Sequence, residues 1–135
     1  DVRISGNVMV ELWSKLLINC AFNAISGLSQ LPYGHFATLD AIHATQVAVV
    51  REVIAVAKAD GVHLSEADAL QTVANIAPAM PMQKSSTAHD MARRKVSEID
   101  HLNGFVVRRG LALGIATPVN QTLYALVKLV ESSYD

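Results

Sequence analysis

Apolar residues recur at three- and four-residue intervals through nearly all of the 135 positions, and no stretch alternates like a strand with β-branched and aromatic enrichment. The pattern predicts six helices. The first covers 5–28 and is apolar around most of its circumference, and Gln30-Leu31-Pro32-Tyr33-Gly34 breaks it. A second spans 39–60 with the stripe Ile42, Val49, Val53 and Val56, and Gly61 stops it. Ser65 reads as the N-cap of a third helix, with Asp68 three residues on. Pro78 and Pro81 end that helix and force an irregular Met80-Pro81-Met82 segment. Ser86 and Thr87 start a short fourth helix over 86–95, and Ser97 caps a fifth over 98–113 that stops at Gly114. Thr117-Pro118 pairs a cap with proline at the first helical position, opening a sixth helix that runs to 133. No long flexible linker divides the chain, so residues 1–135 are expected to form one all-α bundle domain.

The first helix is apolar enough to raise the question of a membrane span. Glu11, Lys15, Asn19 and Asn23 interrupt it at helical spacing, however, and a span needs roughly 20 mostly apolar residues without such a row. A buried core helix of a soluble protein is the better reading. Within it, Lys15, Asn19 and Asn23 stand at i, i+4 and i+8. Each step of four drifts by only about 40°, so the three share one face over roughly 12 Å. Solvated faces favour Glu, Lys, Gln and Arg, whereas Asn is a poor helix former. The row therefore stands open to two readings: an ordinary solvated face, or a ligand-facing row matching the length of a small organic acid.

Composition narrows the function classes. Hydrophobic residues make up 51% and charged residues 17%, against roughly 25% charged in ordinary soluble domains. That excludes a disordered chain and suggests a surface covered by something outside this sequence. A net charge of −1 offers no field for nucleic acid or an anionic membrane, so neither is expected as a partner. Cys20 is the single cysteine and lies among Ile18, Ala21 and Phe22, which marks it as a core residue. The five histidines show no metal spacing, and no metal site is expected. Gly104, Gly110 and Gly114 follow no strand and are not a dinucleotide loop. Arg93-Arg94-Lys95 and Arg108-Arg109 read as solvated helix ends. Asn103-Gly104, placed inside the fifth helix, is expected to serve close helix packing. The chain begins at Asp1 and shows no basic-then-apolar leader, so it reads as a fragment of a longer protein without a signal peptide.

Three motifs carry a resemblance that covers essentially the whole chain. They are Trp13-Ser14-Lys15-Leu16 with Asn19 and Asn23-Ala24-Ile25-Ser26; Ser85-Ser86-Thr87-Ala88-His89-Asp90 with Ser97-Glu98-Ile99-Asp100-His101-Leu102-Asn103-Gly104; and Gly114-Ile115-Ala116-Thr117-Pro118-Val119-Asn120-Gln121-Thr122-Leu123-Tyr124. In this order and spacing they resemble the C-terminal domain of the ketopantoate reductase (2-dehydropantoate 2-reductase) family. The resemblance implies an all-α fold like the C-terminal domain of 6-phosphogluconate dehydrogenase. It implies a cytoplasmic, NADPH-dependent reduction of ketopantoate to pantoate, on the route to pantothenate and coenzyme A. It also implies an N-terminal Rossmann domain, absent from this chain, that holds most of the cofactor. By the same resemblance Lys15 is the general acid and Glu98 the acidic residue of the catalytic pair, while Asn19, Asn23 and Ser86 bind substrate. A homodimer is a candidate assembly.

These residue types suit that chemistry. Reduction of a ketone leaves an alkoxide that needs a proton donor within hydrogen-bond reach. A lysine on an apolar helix fits, because desolvation favours its neutral product. Asn amides orient carboxylate and hydroxyl groups without net charge. Ser86 can donate to a substrate carboxylate, and Glu98 can hold a hydroxyl or partner Lys15. Gln83 stands where the family signature often has Asn, Thr87 where it usually has Met, and the Asn that some members carry near Tyr33 is missing here. These departures leave open a related 2-keto acid reductase with another substrate. A non-catalytic helical dimerisation or interaction module is the alternative of a different class.

Overall fold

The computed structural model describes residues 2–134. It contains six α-helices, α1 (Val2–Ser29), α2 (Asp40–Ala59), α3 (Glu66–Ala79), α4 (Ser86–Ala92), α5 (Asn103–Leu113) and α6 (Pro118–Glu131), with 3-10 turns at Tyr33–Thr38 and Ile99–His101. No strand occurs among the described residues. The expected all-α bundle of six helices is therefore present, and several of its signals act as read. Val49, Val53 and Val56 are wholly buried, and Ile42 is half-buried at the start of the same stripe. The Ser65 hydroxyl accepts from the Asp68 N–H at 3.2 Å. Gly61 and Gly114 take positive φ of 88° and 74°, the left-handed stop that glycine adopts without strain.

Five boundaries or roles differ, each for a physical reason. Pro78 lies inside the last turn of α3 rather than ending it; so close to the C-terminus its ring displaces a single helical bond. The fourth helix stops at Ala92, because Arg94 turns left-handed at φ 57° and the Lys95 N–H closes back on the Asp90 carbonyl at 2.8 Å. The expected helix 98–113 is split at Leu102 (φ −110°, ψ −106°), so Asn103-Gly104 opens α5 instead of lying within it. A Cβ on Gly104 would come within 2.7 Å of the Tyr124 ring and 3.1 Å of the Ile99 carbonyl oxygen, so the close packing expected of it holds. Arg108 and Arg109 fall in the middle of α5 and are not free ends: Arg109 pairs with Asp60, and Arg108 donates to the Asp100 carbonyl at 2.8 Å. Finally, the Thr117 side chain makes no capping bond. A carboxylate from α2 does that work: Glu52 accepts the Val119 and Asn120 N–H groups, each at 3.0 Å.

The long helix α1 is the spine, packed against α2, α3, α4 and α6. By length and composition the stretch Asn7–Ser29 could cross a bilayer, yet 44% of its apolar window is buried within the bundle. From Cys20 to Gly27 every residue is buried, whereas Val8, Met9, Val10 and Leu12 are exposed. The first helix is thus buried continuously from Cys20 to Gly27, while before that stretch only Trp13 and Leu17 are buried among residues 7–19. Around it the interior is filled mostly by valine and leucine, with Leu17, Val49, Val50, Val53, Val56, Val106 and Val127 among the most deeply buried. Phe22, Tyr33 and Phe36 form one aromatic cluster, with ring centroids 4.7–5.7 Å apart.

Candidate functional site

Along α1 the polar row runs from solvent into the fold. Lys15 is exposed, Asn19 half-buried and Asn23 only 7% exposed. Asn19 and Asn23 line one cleft of about 290 Å³, walled by Phe22, Tyr33, Ile76 and Met80 and closed by Gln83. The 3-10 turn and the 80–83 segment that form its far side are stitched together: Tyr33 N–H donates to the Gln83 carbonyl and Gly34 N–H to the Pro81 carbonyl, both at 2.9 Å. Burial pushes the Tyr33 phenol above its ordinary range, so it stays a neutral donor at the cleft wall. Lys15 does not line this cleft; it stands one turn before Asn19. Its exposure corrects one expectation: none of the described residues buries the ammonium, and a second body closing over the row would have to do so.

Ser86 is brought to the row by its neighbour. The Ser85 N–H donates to the Ser26 hydroxyl at 3.0 Å, and the Ser85 hydroxyl donates to the Asn23 carbonyl at 3.3 Å. That hydroxyl also caps α4, accepting from the Ala88 N–H at 3.0 Å. The helices meet closely because residue 27 is glycine: a Cβ there would lie 2.6 Å from the Met91 sulfur and 2.9 Å from the Thr87 methyl. Ser86, the first residue of α4, is exposed and follows directly on Ser85; it does not itself line the Asn19–Asn23 cleft.

Glu98 is exposed on the turn between α4 and α5. The next residue, Ile99, is wholly buried, and five residues on the Asn103 amide donates to the Cys20 carbonyl at 3.3 Å. The turn is therefore anchored to α1 one residue past Asn19. Among the described residues Lys15 and Glu98 form no ion pair with each other. Asn19 and Asn23 thus share a cleft, Ser86 is tied to Asn23 only through its neighbour Ser85, and Lys15, Ser86 and Glu98 stand outside that cleft on exposed positions.

Sequence reasoning missed the polar groups beneath this surface. Asn103 and Asn120 are wholly buried, and the Asn103 amide donates to the Asn120 side-chain oxygen at 2.9 Å. Asn120 in turn donates to Glu52 at 2.9 Å. The trait that marks Asn19 and Asn23 on α1, an amide where helices favour other residues, also marks Asn120. Also missed is a cluster on α6. The Tyr124 hydroxyl donates to Asp100 at 2.6 Å and the Lys128 ammonium at 3.1 Å. The Tyr124 hydrogen bond is the main force holding the Asp100 carboxyl below its usual range, while the same contacts raise Tyr124 and Lys128 above theirs. Cys20 is fully buried, and desolvation pushes its thiol far up, which fits a core residue.

Residues 7–131 match the family described as "Ketopantoate reductase PanE/ApbA C terminal". A 2-dehydropantoate 2-reductase of Pyrobaculum aerophilum is 40% identical over 131 residues, covering 97% of this chain and 47% of that protein. Another from Shigella flexneri is 35% identical over 136 residues, covering 100% of this chain and 44% of its own length. Among solved structures, a PanE/ApbA family ketopantoate reductase from Ralstonia eutropha JMP134 superposes with a TM-score of 0.88 at 50% identity, covering 93% of this chain and 42% of that one. The chain therefore spans less than half the length of the relatives it matches.

Proposed function

Because the chain belongs to the ketopantoate reductase family and corresponds to its C-terminal domain, we propose that it is the substrate-binding half of a cytoplasmic, NADPH-dependent reductase converting 2-dehydropantoate to pantoate. The observation that carries this reading is the row on α1: two amides descend into one cleft below an exposed lysine, and α4 is pinned to the same helix where Ser86 begins. The described residues of this chain offer no strand and Gly-rich loop for a dinucleotide pyrophosphate, so they do not fit the cofactor's main binding site. NADPH belongs to the N-terminal half of the reductase, where it would supply the hydride.

The residues here do the rest. Lys15 donates the proton that the nascent alkoxide needs. Asn19 and Asn23, held on one helix face, orient the substrate's hydroxyl and carboxylate. Ser86 donates to the carboxylate. Glu98 holds the substrate hydroxyl or the Lys15 ammonium in line. Exposure of Lys15 and Glu98 is what an interdomain cleft requires, since such sites are completed only when both halves meet.

The test is NADPH oxidation by the full-length protein against a panel of 2-keto acids. Preference for 2-dehydropantoate supports the reading. Preference for another acid moves it to a related 2-keto acid reductase, a choice for which Gln83 at the cleft mouth is the residue to watch. One observation favours assembly as a second reading: α6 exposes Leu126, Leu129 and Val130 on one side. A homodimer with no turnover on any keto acid would support that reading alone.

A further inference from the structure

The Glu98 turn is held from both sides by a single helix. On the near side Glu131 of α6, 6% exposed, accepts the Ser97 N–H at 2.7 Å and the Ser97 hydroxyl at 2.6 Å. The Ser97 oxygen in turn accepts from the Ile99 N–H at 3.4 Å, bridging across Glu98. On the far side the Asp100 carboxylate is gripped by Lys128 and Tyr124, one and two turns before Glu131 on α6. Lys128 also pairs with Glu131 at 3.3 Å, so the two grips are joined. The Glu98 carbonyl accepts from the His101 N–H at 2.8 Å. Both of its neighbours, Ser97 and Ile99, are buried, and Glu98 alone is exposed. A buried carboxylate is costly unless it is paired and hydrogen-bonded. Spending one on the residue next to Glu98 is hard to explain by packing, since an apolar residue would fill that place.

We propose that Glu131, acting through Ser97, is a positioning residue for Glu98: it fixes the turn backbone from which the exposed Glu98 side chain projects, so that its carboxylate meets the substrate from one place when the interdomain site is completed. The inference rests on the reading of Glu98 as a site residue. Glu131 touches no reacting atom and acts only by limiting where Glu98 can point. Misplacement of a catalytic group by about 1 Å costs up to roughly 100-fold in rate.

A double-mutant cycle in the full-length reductase tests it. Glu131→Ala is expected to lower kcat/KM by roughly 10- to 100-fold. Glu131→Gln keeps an oxygen for Ser97 and should recover most of the loss. In a Glu98→Ala background the same Glu131→Ala change should cost less than about twofold, because the group it positions is gone. Should Glu131→Ala fail to fold, Ser97→Ala, which removes only the hydroxyl arm, enters the same cycle. A full loss repeated in the Glu98→Ala background would overturn the proposal, leaving Glu131 a structural residue. Wild-type activity in Glu98→Ala alone would remove the reading of Glu98 itself, and the positioning role with it.

Discussion

At Glu52 a carboxylate from α2 finishes the N-terminus of α6, a helix that starts more than sixty residues later. It accepts two backbone N–H groups and the Asn120 amide, and through Asn120 it supports Asn103 and the Cys20 carbonyl of α1. Glu52→Ala would leave three donors without a partner in a half-buried place. Loss of a cap together with unsatisfied donors should lower unfolding stability by about 2–3 kcal/mol. Glu52→Gln keeps one acceptor and should lose less. Urea denaturation of both variants checks this, and an alanine variant within about 0.5 kcal/mol of wild type would show that the contact is incidental. Thr117 had the residue type and position of a cap, yet the capping group came from elsewhere. No local rule could reveal that, because the deciding carboxylate is 67 residues from the Val119 N–H it accepts.

The elements themselves were legible wherever their cause was local. Periodicity, Ser65, Gly61 and Gly114 marked helices that the fold contains. The split at Leu102 was not legible, because its cause is tertiary: Glu131 and the Asp100 cluster pull the turn sideways onto α6, and a continuous helix could not meet both. The site divides the same way. The spacing of Lys15, Asn19 and Asn23 showed their common face, whereas Tyr33, Met80 and Gln83 join it only through the packing of the 3-10 turn against the 80–83 segment. The Asp100 cluster also gives the turn a pH signature. The folded state holds the Asp100 carboxyl below its usual value, so its contribution is full above about pH 4 and fades as pH falls through the folded value. Tyr124 and Lys128 are shifted upward, so their share is present below about pH 10 and fades as pH rises. Thermal melts of wild type and Asp100→Asn from pH 7 to pH 2.5 should therefore converge toward the acid end. A gap between the two that stays constant over that range would refute the assignment.

For the whole molecule, the exposed apolar residues Val8, Met9, Val10 and Leu12 of α1 and the exposed Lys15 end of the row fit a domain that works against a second body. Alone, the chain should bind NADPH too weakly to detect, since its described residues hold no strand–Gly-rich loop–helix unit for a pyrophosphate. Titration calorimetry giving micromolar binding to this chain would contradict that division of labour. The most direct measurement is steady-state kinetics of Lys15→Ala in the full-length protein, assayed for the proposed reduction. If Lys15 is the proton donor, kcat should fall by about 10²–10⁴-fold, with a smaller change in KM, since the donor acts where negative charge develops. Lys15→Arg should not restore the rate, because a guanidinium holds its proton too tightly to give it up. Turnover within a factor of a few of wild type in Lys15→Ala would reduce Lys15 to a solvated helix residue and contradict the account.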